Sequence, residues 1–352
     1  MPDPFSTRLV RWQRAHGRHD LPWQTDDPYR VWLSEIMLQQ TQVATVIPYY
    51  QRFTESFPSV TALADAPLDE VLAHWAGLGY YSRARNLHQA ARMVRDRFGG
   101  VFPPSAEGLI ELPGIGRSTA AAVAGFCYAE RTPILDGNVK RVLARWAGID
   151  GFPGEKKTEN KLWALAAGLL PTDAADMPAY TQGLMDLGAT VCTPRRPDCP
   201  RCPLRDDCRA HIEGRQAELP TPRPKKTVPE RATLMLLIRQ GGQLLLERRP
   251  PTGIWGGLWS LPEAETAAQA VALCAERFGL AATPGAPQPA LVHTFTHFRL
   301  TITPLPLEVA GELPRVAEAD ARWFARGEAL KAGIPTPVRK LLLAEGRQES
   351  LF

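Results

Sequence analysis

No stretch of the 352 residues is apolar for the ~20 positions a membrane-spanning helix needs, so no transmembrane segment is expected. The opening residues, Met1-Pro2-Asp3-Pro4-Phe5, lack the basic-then-apolar order of a secretory leader. The expectation is a cytoplasmic protein, nucleoid-associated if bacterial. Neither sign of charge dominates: 41 Lys and Arg stand against 37 Asp and Glu, a formal net charge of +4. A polyanionic partner is compatible with that balance but not demonstrated by it. Cysteine is scarce, with six in the chain. Cys127 and Cys274 stand alone in apolar stretches and read as small core residues. The other four, Cys192, Cys199, Cys202 and Cys208, fall within seventeen consecutive residues. In a cytoplasmic chain such a cluster means metal before it means disulfide.

Strand patterns are missing from the first two hundred or so residues. Leu9, Trp12 and Gln13 mark a first helix, and a Pro- and Asp-rich loop follows from Asp20 to Pro28. A second helix is expected from Tyr29 to about Thr45, with Trp32, Ile36, Val43 and Ile47 at core spacing. Short helices punctuated by Pro58, Pro67, Gly77-Leu78-Gly79 and Gly99-Gly100 continue to about Ala210, so residues 1–215 read as one all-α domain. The character changes after Gly214. Residues 216–230, with the run Pro220–Pro229, are rich in proline and basic residues and read as a semi-extended linker. Thr233–Ile238 and Gln243–Glu247 then look like strands joined by Gly241-Gly242. A helix over about Thr266–Phe278 and strand-like runs at Leu291–Phe298 and Arg299–Pro304 make residues 231–352 an α+β domain.

The stretch Leu112–Asn138 organises the helical part. Leu112-Pro113-Gly114-Ile115-Gly116 is a tight turn opening a small-residue helix, Ser118 to about Phe126. Gly114 and Gly116 permit close backbone approach, and the N–H groups at the helix start suit a phosphate oxygen. Asp136 precedes the amphipathic run Val139, Val142, Leu143, Trp146 and is expected to cap that helix, which would fix its carboxylate and keep it ionised. Most helical glutamates face solvent, but Glu35 has Val31 and Leu38 on its own face. A carboxyl held among apolar groups has a raised pKa and can donate a proton near neutrality. The order Cys192-x6-Cys199-x2-Cys202-x5-Cys208 suits one tetrahedral or cuboidal centre, and spacing alone leaves structural zinc open. Arg195, Arg196, Arg201 and Arg205 interleave the cysteines, either as a solvated basic loop or as cations offered to phosphate.

These motifs carry a resemblance. Leu112–Gly116 resembles the hairpin of helix–hairpin–helix DNA glycosylases. With Asp136-Gly137-Asn138, the run Ser34-Glu35-Ile-Met-Leu-Gln-Gln-Thr41 and the cysteine spacing, the whole chain resembles the adenine DNA glycosylases of the MutY family. The resemblance implies a multidomain protein. An all-α, two-lobed glycosylase domain, residues 29–134 forming one lobe, would hold a 4Fe-4S cluster on Cys192, Cys199, Cys202 and Cys208. A Nudix-like α+β domain would follow. It implies excision of adenine mispaired with 8-oxoguanine or guanine from double-stranded DNA, by a monomer with no membrane partner. Glu35 would protonate the purine at N7, with Asp136 facing the oxocarbenium-like sugar and Asn138 accompanying it. Trp23 and Gln182 match residues lining the adenine pocket; Gln40 and Tyr80 match residues that wedge into the duplex. Ser118 stands where lyase relatives carry a nucleophilic lysine, so a monofunctional enzyme is expected. Gly256-Gly257-Leu258-Trp259-Ser-Leu-Pro262-Glu263 resembles a Nudix opening. Of the remaining Nudix box only Glu276 and Gly279 are kept, too few carboxylates for magnesium-assisted hydrolysis. Phe295-Thr296-His297 matches the family's lesion-reading loop, with Thr for the usual Ser. Two other readings stand beside this one: a glycosylase-lyase for pyrimidine lesions, opposed by Ser118 and by the extra C-terminal domain, and a non-catalytic iron–sulfur DNA-binding or redox-sensing protein, which would need neither Glu35 nor Asp136.

Overall fold

The computed structural model describes residues 3–224, 227–310 and 320–349, with side chains of the last helix described to residue 344. The chain divides into two compact units. Residues 1–65 and 86–225 form the first, and residues 66–85 and 226–352 form the second.

Helices are the first unit's only regular elements among its described residues, and no strand occurs there. The helix Phe5–His16 packs on the helix Met177–Asp186, far away in sequence. Phe5, Leu9, Val10 and Trp12 meet Ala121, Val139, Leu143, Tyr180 and Leu184 in one core, with the Phe5 ring edge-on to Trp146 at 4.8 Å. The second helix starts where Asp27 accepts from the Tyr29 N–H at 2.9 Å and Pro28 supplies the first turn. It ends at Leu38, not near Thr45. Gln40 adopts a left-handed conformation with φ 56°, and Thr41 turns its hydroxyl onto the Gln39 carbonyl at 3.2 Å. A new helix begins at Val43 and runs to Ser56, burying Val46 and Tyr50 instead of Val43 and Ile47. Residues 219–221 of the proline-rich stretch pack on this unit: the Leu219 carbonyl accepts from Arg145 Nε at 2.7 Å, and Thr221 Oγ1 accepts from the Gly151 N–H at 3.0 Å.

The second unit is built on an eight-stranded mixed sheet. In chain order its strands are β1 (Glu230–Gln240), β2 (Gln243–Arg248), β3 (Trp259–Ser260), β4 (Glu263–Ala264), β5 (Ala282–Pro284), β6 (Leu291–Thr294), β7 (Arg299–Val309) and β8 (Ala321–Ala325). The central path is β3-β2-β1-β7-β5, with β4 on β1, β6 on β7 and β8 on β2. β1 and β7 run parallel in register from Glu230 opposite Arg299 to Arg239 opposite Glu308. The helix Ala267–Phe278 opens with a reciprocal capping box between Thr266 and Gln269. It lays Cys274 and Phe278 on Leu236, Ile238, Leu245 and Leu307 of the sheet. Arg277 of this helix pairs with Glu247 of β2 at 2.9 Å, and Arg249 pairs with Glu263 at 2.8 Å.

Candidate active site

The hairpin shapes one edge of the first unit. Gly114 has φ 79°, and a Cβ there would stand 2.7 Å from Asn86 Cβ, so both conformation and space demand glycine. Gly116 is different: its φ is −89° and nothing lies within 4 Å of a would-be Cβ. That open ground precedes the N–H groups of the helix Arg117–Tyr128. At the next turn Ser118 Oγ accepts from the Leu135 N–H at 3.0 Å, fastening the extended segment that leads into Asp136.

A pocket of about 460 Å³ lies in this unit, walled by Trp23, Val31, Leu38, Phe126 and Met185 with Glu35, Arg18 and Gln182 among them. The helix Pro28–Leu38 places Glu35 between Val31 and Leu38, as the periodicity predicts. Burial pushes the Glu35 carboxyl up to about 8, and the negative charge of Asp136 adds to the rise. Trp23 is buried and stands edge-on to Tyr50, ring centroids 5.4 Å apart. Its loop is tied by Gln24, which accepts from the Leu21 N–H at 3.0 Å and donates to the Arg18 carbonyl at 2.6 Å. On the far wall the buried Asp186 receives three donors. Arg18 gives its backbone N–H at 2.9 Å and Nε at 2.7 Å, and Gln182 gives Nε2 at 2.7 Å. The pairing of Arg18 with Asp186 escapes a reading of the sequence because 168 residues separate them.

Asp136 caps the helix Gly137–Ala147 as expected, its Oδ1 accepting from the Val139 N–H at 2.7 Å. The cap fixes the carboxylate, but burial outweighs the helix N–H groups and Arg141, and the pKa moves above its ordinary value instead of below it. Asn138 Nδ2 points back to Asp136 Oδ2 at 3.5 Å. Its Oδ1 accepts from Arg141 at 2.8 Å, and the same guanidinium donates to the carbonyls of Gly188 and Cys192, both at 2.7 Å. Gly188 sits in a single π-helical turn, Leu187–Val191, where a Cβ would come 2.5 Å from Asn138 Cβ. The sequence gives no warning of this Arg141 bridge, because its partners are carbonyls on a remote turn.

Cys192, Cys199, Cys202 and Cys208 line one small cavity with Val142, Leu187 and Leu204. Among the described residues no three His, Cys, Asp or Glu side chains close on a single ion. Four cysteines on one cavity form a donor set for a metal centre: burial pushes the Cys202 thiol up to about 12, and the other three cysteines add to the rise. Only a cationic centre would make four thiolates stable there. Arg145 is buried beside them, donating to the Thr193 and Pro194 carbonyls at 2.7 and 3.0 Å and lying 3.4 Å from Cys192 Sγ.

The remaining sequence candidates are distributed as follows. Gln40 is exposed in the turn between two helices of the first unit. Tyr80 belongs to the second unit, exposed and left-handed at φ 47°. Arg83 steadies its turn through the Leu78 and Gly79 carbonyls at 3.1 and 3.2 Å, its guanidinium 5.6 Å from the Tyr80 ring. Phe295, Thr296 and His297 form the tip between β6 and β7, closed by the Phe295 N–H to the Phe298 carbonyl at 2.9 Å. The Phe295 ring stacks on Phe298 at 4.4 Å and leans on Trp255 at 5.4 Å, which leaves Thr296 and His297 as the exposed pair.

A family profile described as HhH-GPD superfamily base excision DNA repair protein matches residues 33–167, and a NUDIX domain profile matches residues 233–344. Among solved structures, a thermostable thymine-DNA glycosylase is similar at 28% identity and TM-score 0.54, over 59% of this chain and 95% of that one. A trapped endonuclease III–DNA covalent intermediate shares the fold at TM-score 0.51 and 21% identity, over 59% of this chain and 94% of that one. Among the described residues no helix is long and apolar enough to cross a membrane. The adenine DNA glycosylase of Homo sapiens is 35% identical, over 98% of this chain and 74% of that protein. That of Buchnera aphidicola subsp. Acyrthosiphon pisum (strain APS) is 36% identical over 99% of both chains. Likeness sustained from the first helix to the last places this chain in the adenine DNA glycosylase family.

Proposed function

We propose that the protein removes adenine mispaired with 8-oxoguanine or guanine from double-stranded DNA, by hydrolysis and without cutting the strand. The observation that carries this reading is Glu35: a carboxyl on a pocket wall that keeps its proton to about pH 8. A flipped adenine would enter the pocket between Trp23 and Gln182, at an unstacking cost of about a few kcal/mol that a mispair lowers. Glu35 would then give its proton to N7, so that the base departs neutral. Asp136, held by the Val139 N–H, would face the positive sugar as carboxylate. Each carboxylate raises the cost of ionising the other, which favours one proton between the two at neutral pH. Ser118 is committed to the Leu135 N–H and supplies no amine, so water completes the abasic site.

Gly114, Gly116 and the helix behind them would grip a phosphate, while Gln40 and Tyr80 would fill the duplex where the base left. Cys192, Cys199, Cys202 and Cys208 would hold a 4Fe-4S cluster, whose contribution is to brace the loop and present its arginines to DNA. Thr296 and His297 would hydrogen-bond the altered edge of 8-oxoguanine. Such contacts discriminate by about 1–3 kcal/mol each. The test is a duplex carrying adenine opposite 8-oxoguanine, with base loss and strand scission scored separately. Base loss with scission only after alkali is expected; scission at the rate of base loss would replace this reading with a lyase. Alanine at Phe295, Thr296 and His297 together should lower the rate ratio between 8-oxoguanine and guanine mispairs. An unchanged ratio would move lesion reading to the helical unit.

A further inference from the structure

Asp186 lies 0% exposed behind the pocket wall and has no route to base or sugar. We infer that it nevertheless decides which purine edge the pocket accepts, by fixing the sense of the Gln182 amide; the inference rests on the reading above, that this pocket receives adenine.

The chemistry is one of forced orientation. A carboxylate paired with the Arg18 guanidinium only accepts hydrogen bonds. Gln182 stands one helical turn before Asp186, and its amide reaches Oδ1 at 2.7 Å. The amide must therefore turn its nitrogen to Asp186 and leave Oε1 on the other side. Among the described residues no donor reaches that Oε1. Gln182 is itself 8% exposed and lines the pocket, so the wall offers an acceptor to whatever fills the pocket. Arg18 holds the geometry from behind through its backbone N–H and Nε, which pin both carboxylate oxygens.

An acceptor at this place favours a base with an amino group on its six-membered ring. It opposes a base with a carbonyl there, since two acceptors would face each other with no water to separate them. Adenine carries the amino group; hypoxanthine and guanine carry the carbonyl. The selectivity is then stored in Asp186 as much as in Gln182. Were Asp186 a group that can also donate, the Gln182 amide could rotate by half a turn and offer N–H instead.

Asp186→Asn makes that change with almost no change of shape. The experiment measures single-turnover excision of adenine and of hypoxanthine, each opposite the same base, by full-length iron-loaded protein. Wild type, Asp186→Asn, Asp186→Ser and Gln182→Leu are compared. The ratio of the two rates is read, because any inactive fraction of a preparation cancels from it. Asp186→Ser, whose hydroxyl also donates and accepts, repeats the question should the asparagine variant accumulate poorly. The expected result is a fall of about tenfold or more in the adenine-to-hypoxanthine ratio for both Asp186 variants and for Gln182→Leu. A purely structural role would lower both rates together and leave the ratio alone. If Gln182→Leu lowers the ratio and the Asp186 variants keep it, the positioning role of Asp186 is overturned while the pocket reading survives. If Gln182→Leu also keeps the wild-type ratio, the base is not read by this wall and both fall together.

Discussion

Glutamine at position 35 would remove one titrating proton from the pocket and leave its shape nearly intact. Glu35 is lifted from the ordinary 4.5 to about 8 by burial and by Asp136. The folded protein therefore binds its proton up to about pH 8, whereas the unfolded chain releases it near 4.5. Between those values the native state holds the extra proton, so wild-type stability declines as the pH rises. Each pH unit in that window is worth about 1.4 kcal/mol. From pH 5 to pH 8 the total is about 4 kcal/mol, or about half that once water at the pocket mouth is allowed for. Glu35→Gln carries no such slope and should overtake the wild type in denaturant midpoint as buffers become alkaline. Its excision should fall by about 10²–10⁴-fold, and wild-type excision should decline above about pH 8 as the acid is lost. Parallel stability curves for the two proteins from pH 5 to pH 9 would refute the buried-acid argument. Excision by the glutamine variant within tenfold of wild type would remove Glu35 from the chemistry.

Asp136→Asn should cut excision by about 10²–10⁴-fold; with the Asp136 charge gone, the alkaline limb of the pH–stability curve should move to lower pH, and a limb that stays put would deny the coupling. Ser118→Ala leaves the N–H of the buried Leu135 without its acceptor, so about 1–3 kcal/mol of stability should be lost in urea titration. Borohydride should trap little covalent complex with wild-type protein, and trapping at lyase levels would contradict the role given to Ser118. Cys202→Ser should yield pale protein depleted in iron and weakened in DNA binding, whereas stoichiometric zinc in anaerobically prepared wild type would refute the cluster.

What could be read from the sequence was what lies close together along it. The hairpin, the cysteine loop and the cap at Asp136 are contiguous, and Glu35 follows from a single helical period. The break after Leu38 was not legible, since Gln39–Gln42 contains neither glycine nor proline and the turn relies on a left-handed glutamine. The approach of Arg18 to Asp186 and of Arg141 to the Gly188 carbonyl joins residues far apart, brought together only by folding. The direction of the Asp136 shift was missed for a related reason: the cap is local, but the burial that outweighs it comes from the tertiary structure. Nor does any composition change announce that residues 66–85 group with the C-terminal unit.

The pairing of Arg277 with Glu247, and of Arg249 with Glu263, bears on whether this face of the sheet could host a divalent cation. A hydrolase that merely lost a ligand could regain it by one reversal. Here Glu247 and Glu263 are each already paired with a guanidinium. Restoring a carboxylate at position 277 alone would set like charges side by side before any magnesium could bind. Lysine at position 277 should therefore be tolerated far better than an acid, since it keeps a cation opposite Glu247.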